Sequence, residues 1–137
     1  MPTVGRVLET SLYVDAIDRA AEFYARIFGF EKLVCDDRFC ALSVAGQQVL
    51  LLFRKGGTTM PMSIPGGIIP PHDGSGTTHL AFTIAAADED AWTKHLESNG
   101  VPIESRVVWP RGGSSLYFRD PDEHLVELVT PGCWTIY

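Results

Sequence analysis

The sequence predicts an α+β fold: two tandem β-α-β-β-β modules whose strands form a curled, cup-like mixed sheet with the helices outside. Three observations carry this. Short runs of alternating apolar and polar residues mark strands. Two stretches with apolar residues at helical spacing each follow one such strand. The order strand, helix, three strands then recurs in the second half.

In the first half, "VLETSLYVD" (7–15) is an alternating strand. "DAIDRAAEFYARIFGF" puts Ile17, Ala20, Ala21, Tyr24, Ile27 and Phe28 on one helical face, with Asp15 or Asp18 as N-cap and Gly29 just past the end. "FEKLVC" and "FCALSV" flank the turn "DDR", and "QQVLLLFR" closes the module. In the second half, "THLAFTI" (78–84) is the strand. "AADEDAWTKHLESNG" is the helix, acidic at its start and ending in Asn99-Gly100. "VPIESRVVW", "SSLYF" and "EHLVELVT" follow, the last two joined by the turn sequence "RDPDE". Residues 1–56 thus form a first module and 78–137 a second, within one domain. Residues 57–77 are a Gly/Pro-rich connection with no element of its own, the kind of long loop that often serves as a lid.

Laid on each other, the halves place Glu9 on His79, Leu12 on Phe82 and Leu51 on Glu127. Three of the four residues in these two slots are metal-competent. Alternation along each strand sharpens the pattern. Glu9, Ser11 and Tyr13 share one face, Leu12 and Val14 the other. His79 lies opposite in parity to Leu80 and Phe82, and Glu127 opposite to Val126 and Leu128. One face of each strand packs on a helix and the other lines the cup. His124 has the opposite parity to Glu127, which predicts a structural role.

A hydrophobic content of 45% supports a sizeable core, and the net charge is −6. No Lys/Arg stripe is present, which argues against nucleic acid and anionic membrane as partners. The longest apolar run, Val49–Phe53, is too short to span a bilayer. Three cysteines, Cys35, Cys40 and Cys133, form no CxxC pair. This odd count predicts free thiols and a cytoplasmic protein, although Cys35 and Cys40 can face each other across a hairpin.

The segments "LYVDAIDRAAEFYARIFGFE", "THLAFTI" and "LYFRDPDEHLVEL" resemble the vicinal oxygen chelate superfamily: glyoxalase I, fosfomycin-resistance proteins, extradiol dioxygenases and bleomycin-resistance proteins. The resemblance covers nearly the whole chain. It implies paired modules whose sheets close around a divalent metal, a small-molecule substrate, and a homodimer in which modules of two chains can share a site. Carried onto this sequence, the ligand slots hold Glu9, Leu51, His79 and Glu127. Leu51 cannot ligate, so the implied set is Glu9, His79 and Glu127, with Glu9 where His or Gln is commoner.

Two carboxylates and an imidazole suit Mn, Fe, Ni, Zn or Mg. Glu9 and Glu127 are the candidate catalytic bases, acting beside a Lewis-acidic ion. Candidate substrate contacts are Tyr117, which resembles a substrate-contacting Tyr of the fosfomycin-resistance proteins, His72 as a lid residue, Arg111 for an anionic group, Phe39 as an apolar wall, and Tyr13. Trp109 is most simply a packing or dimer-interface residue. The reading is a metal-dependent lyase or isomerase, transferase or dioxygenase. The alternative is a metal-free protein that sequesters a small molecule or antibiotic, as the bleomycin-resistance branch does.

Overall fold

Helix α1 (Ile17–Phe28) buries Ile17, Ala20, Ala21, Phe23, Tyr24 and Ile27 along one stripe, because their spacing stacks them on a single face. It stops at Gly29, whose left-handed φ of 69° lets its N–H reach the Ala25 carbonyl at 2.9 Å. Its start differs from expectation. Ala16 is the N-cap and no side chain caps it. Asp15 instead pairs with Lys55 at 3.2 Å.

The computed structural model describes residues Met1–Tyr137, and the chain divides into two compact units, Met1–Gly76 and Thr77–Tyr137. The first holds β1 (Glu9–Val14), α1, β2 (Glu31–Cys35), β3 (Phe39–Val44) and β4 (Gln48–Arg54), in the sheet order β1-β4-β3-β2. The first and last strands pair in parallel and the others antiparallel. The helix-facing side chains Leu12, Val14, Cys40, Leu42, Leu50 and Leu52 are almost wholly buried. Each large one contributes about 1.5–3 kcal/mol by leaving water. Truncating Tyr24, which is fully buried and stacked against Phe28 and Phe30, would cost about 3–5 kcal/mol.

The second unit repeats the plan. Strand β7 (His79–Thr83) leads through one 3₁₀ turn (Ala86–Asp88) into α2 (Glu89–Ser98), and β8 (Ser105–Val108), β9 (Ser114–Arg119) and β10 (Leu125–Val129) follow. The sheet order β7-β10-β9-β8 matches that of the first unit, again with first and last strands parallel. Its core is Leu96, Leu116, Phe118, Val126 and Leu128. Between β9 and β10 the buried Asp120 accepts hydrogen bonds from the N–H groups of Asp122 and His124, both at 2.9 Å, which folds "RDPDE" into a turn.

Two expectations are corrected. The connection does carry structure: β5 (Met62–Ile64) and β6 (Gly67–Ile69) form an antiparallel hairpin belonging to the first unit. Its strands are held together by backbone bonds that composition does not encode. Cys35 and Cys40 are not free thiols. They sit directly opposite each other on β2 and β3 and form a disulfide, leaving Cys133 as the free cysteine. Antiparallel register, not sequence spacing, brings the two sulfurs together. No helix is long and apolar enough to cross a membrane.

Candidate metal centre

In the parallel pair β7–β10, Leu125 lies opposite His79, and the His79 Nδ1 stands 3.0 Å from the Leu125 carbonyl oxygen. A ring nitrogen facing a carbonyl must donate, so Nδ1 carries a proton. The other nitrogen, Nε2, faces Glu127 Oε2 at 3.1 Å. Glu127 comes two residues after Leu125, hence on the same sheet face.

Glu127 is only 6% exposed, and its second oxygen is saturated. Oε1 accepts from Ser115 Oγ at 2.5 Å and from Tyr117 OH at 3.1 Å. Tyr117 lies directly opposite Glu127 on β9, and Ser115 is two residues earlier on the same face. Ser115 Oγ in turn accepts from Trp109 Nε1 at 2.8 Å. This chain of donors holds the carboxylate so that Oε2 alone is turned to the imidazole. Burial, then the hydrogen bond and charge of Glu127, raise the Tyr117 pKa above the usual phenol value, so Tyr117 stays a neutral donor.

With Nδ1 committed as a donor, Nε2 either bears a second proton or offers a lone pair. A lone pair so close to a carboxylate oxygen is repulsive unless a cation lies between them. The pair therefore calls for a proton or a metal ion. Donors bonded to one ion at about 2.0–2.2 Å and at right angles stand roughly 3 Å apart, so the observed separation fits a divalent ion. The His79 side chain is half exposed, which leaves the imidazole side open to further ligands. Behind it, the buried His124 accepts at Nδ1 from the Thr78 N–H at 3.0 Å and fixes the residue before His79.

Four of the other predicted residues fall in the first unit. Glu9, Tyr13, Phe39 and His72 line one cleft of ≈ 540 Å³ together with Ser11, Leu51, Phe53, Met62 and Ile69. Arg111 joins neither group; it is exposed in the turn between β8 and β9. Neither unit gathers three or more His, Cys, Asp or Glu side chains around one point. Sequence reasoning missed Ser115 and gave Trp109 no polar role. Applying the alternation rule to "SSLYF" would have put Ser115 and Tyr117 on one face; that this face meets Glu127 comes from the β9–β10 register.

A family model, the Glyoxalase/Bleomycin resistance protein/Dioxygenase superfamily, matches residues 6–128. The chain belongs to this superfamily. Among curated relatives, a metallothiol transferase FosB of Shouchella clausii (strain KSM-K16) is 31% identical over 130 residues, covering 93% of this chain and 81% of the relative. A glutathione transferase FosA of Serratia marcescens is 41% identical over 63 residues, covering 44% of this chain and 40% of the relative. Among solved structures, lactoylglutathione lyase from Agrobacterium tumefaciens superposes with a TM-score of 0.88 at 30% identity, covering 98% of this chain and all of that one. The doubled β-α-β-β-β plan is thus the superfamily fold.

Proposed function

We propose that this superfamily member is a divalent-metal-dependent enzyme acting on a small oxygenated substrate, with His79 and Glu127 as metal ligands. The observation that carries the reading is the facing of His79 Nε2 and Glu127 Oε2 at 3.1 Å, each with its other polar atom tied off. Glu9 is assigned as third ligand, because it occupies in the first unit the strand position that His79 occupies in the second. It is supplied by the same chain or by a second copy in a homodimer. The ion is Mn, Fe, Ni, Zn or Mg. The names of the relatives, two transferases and a lyase, support a group-transfer or lyase reaction.

A divalent ion bound there would supply Lewis-acid polarisation of a substrate oxygen. The remaining work falls to the protein. Glu127 is held to present one oxygen by Ser115 and Tyr117. Its buried carboxylate, or Glu9, is the base that takes the substrate proton. Elemental analysis of protein purified without chelator tests this. One divalent ion per chain is expected, together with a rise in melting temperature on adding Mn²⁺, Ni²⁺ or Zn²⁺. No metal and no shift with any of these ions would end the enzyme reading.

The second reading, metal-free sequestration of a small molecule, is favoured by the first unit's cleft, whose walls need no metal. Ligand retention that is indifferent to a chelator would support it.

A further inference from the structure

The Cys35–Cys40 disulfide joins two residues of opposite exposure. Cys40 shares the helix-facing side of the sheet with Leu42 and Leu52, and none of its surface meets solvent. Cys35, on the edge strand β2, is exposed. It borders a recess of ≈ 520 Å³ between the start of α1 and the turn from β2 to β3. One end of the bond is thus within reach of an attacking thiolate, and the other is shielded.

The hairpin does not depend on this bond for its register. The Asp36 N–H donates to the Phe39 carbonyl at 2.9 Å. Asp36 Oδ1 accepts from the N–H groups of Arg38 at 2.8 Å and Phe39 at 3.0 Å. The Arg54 N–H donates to the Arg38 carbonyl at 3.3 Å, which ties the turn to β4. Opening the disulfide leaves these bonds in place, so the two thiols stay opposite each other.

Four carboxylates, Asp15, Asp18, Asp36 and Asp37, and one guanidinium, Arg54, line the recess. Asp15 pairs with Lys55 at 3.2 Å and Asp36 with Arg38 at 3.6 Å, so Asp18 and Asp37 exceed Arg54 by one charge. The start of α1 contributes about half a positive charge, too little to reverse the sign. An approaching cation is favoured there and an anion opposed.

We propose that Cys35 is a site of thiol–disulfide exchange, at which a small aminothiol enters from the recess and opens the bond to Cys40. Its thiolate attacks Cys35 Sγ. An S–S bond forms between the small thiol and Cys35, and the Cys35–Cys40 bond breaks. The electron pair leaves on Cys40 Sγ, which takes up a proton from solvent. Among apolar side chains Cys40 then stays a neutral thiol and is slow to displace the adduct. A second thiolate attacks the small-molecule sulfur of the adduct. The small disulfide departs, and Cys35 takes up a proton in turn. Two small thiols are oxidised and one protein disulfide is reduced. The exchange is independent of the metal centre proposed above.

The test uses the full chain with chelator present. Cysteamine, a cation, and 2-mercaptoethanesulfonate, an anion, are each added at equal thiolate concentration. Samples are quenched in acid, alkylated and peptide-mapped by mass spectrometry. The first adduct is expected on Cys35, at least about 10-fold over Cys40. Its rate should rise in proportion to thiol and stay unchanged in about 1 M urea, as attack on the folded chain requires. Normalised to rates with oxidised 2-mercaptoethanol, cysteamine should react at least about 3-fold faster than the sulfonate at low salt. Adding about 0.5 M NaCl should remove most of that gap, as should Asp18→Asn combined with Asp37→Asn. With cystamine as the probe, Cys40→Ala should take up one cysteamine at Cys35, and Cys35→Ala none at Cys40. Equal adducts on the two cysteines, a rate that reaches a ceiling with thiol, or one that climbs steeply with urea would overturn exchange at Cys35 in the folded protein. A sulfonate as fast as cysteamine would overturn the preference for an aminothiol.

Discussion

The two units share a sheet order and a register, yet they diverge at the positions that do chemistry. In the first, Glu9 pairs with Val49, and Leu51 comes two residues on. In the second, His79 pairs with Leu125, and Glu127 comes two residues on. The slots are the same, but Leu51 replaces the carboxylate. The surroundings diverge with it. Ala41 and Phe39 stand in the first unit where Tyr117 and Ser115 stand in the second. One unit is furnished with donors around a carboxylate and the other with apolar walls around a Tyr–His pair. The comparison teaches that the scaffold sets only where side chains converge, and a few substitutions decide which chemistry they bring to that point.

The largest expected effect is that of Glu127→Ala, which removes the proposed ligand whose counterpart in the first unit is Leu51. Calorimetric Mn²⁺ affinity should fall by more than about 100-fold. An unchanged affinity would break the contrast between the units. The converse change sharpens it. Glu9→His with Leu51→Glu rebuilds the pair in the first unit, and elemental analysis should then find one additional ion per chain. Failure to gain it would assign the decisive role to the donor shell of Ser115 and Tyr117. Removing part of that shell comes next. Ser115→Ala should weaken metal binding about 10- to 100-fold, and Trp109→Phe less, since it acts one hydrogen bond further back.

A smaller effect distinguishes the units by their cross-strand pair. Thiol titration should count one free cysteine per chain before reduction and three after, and loss of the short Cys35–Cys40 loop should cost about 2 kcal/mol. The smallest effect belongs to Glu104, on the surface of the second unit. Arg119 grips its carboxylate at 2.7 and 3.2 Å and holds its pKa below the ordinary range near 4.3. A lowered carboxyl pKa stabilises above that range, and the gain is lost as pH falls through the folded value. Glu104→Gln should therefore flatten only the acid limb of the melting-temperature profile.

Much of this was legible in the residues. Alternation and helical spacing placed every strand of both sheets, and superposing the halves put Glu9 with His79 and Leu51 with Glu127, the slots that the registers confirm. What escaped depends on pairing between strands distant in sequence. Ser115 meets Glu127 only through the β9–β10 register, and Cys35 meets Cys40 only through that of β2–β3. The hairpin at Met62–Ile69 hid behind Gly and Pro, which mark turns but do not say what the turns connect.

Each unit is closed by a parallel pairing of its first strand with its last, a topology with consequences during synthesis. Such a sheet cannot close until its final strand has left the ribosome. His79 must wait for a partner 46 residues downstream, roughly 2–10 s at common translation rates. Through that interval the first unit's sheet has all four of its strands, while β7 is an unpaired edge. A nascent chain arrested before Leu125 should therefore protect the backbone amides of residues 9–54 against hydrogen exchange and leave those of 79–83 open.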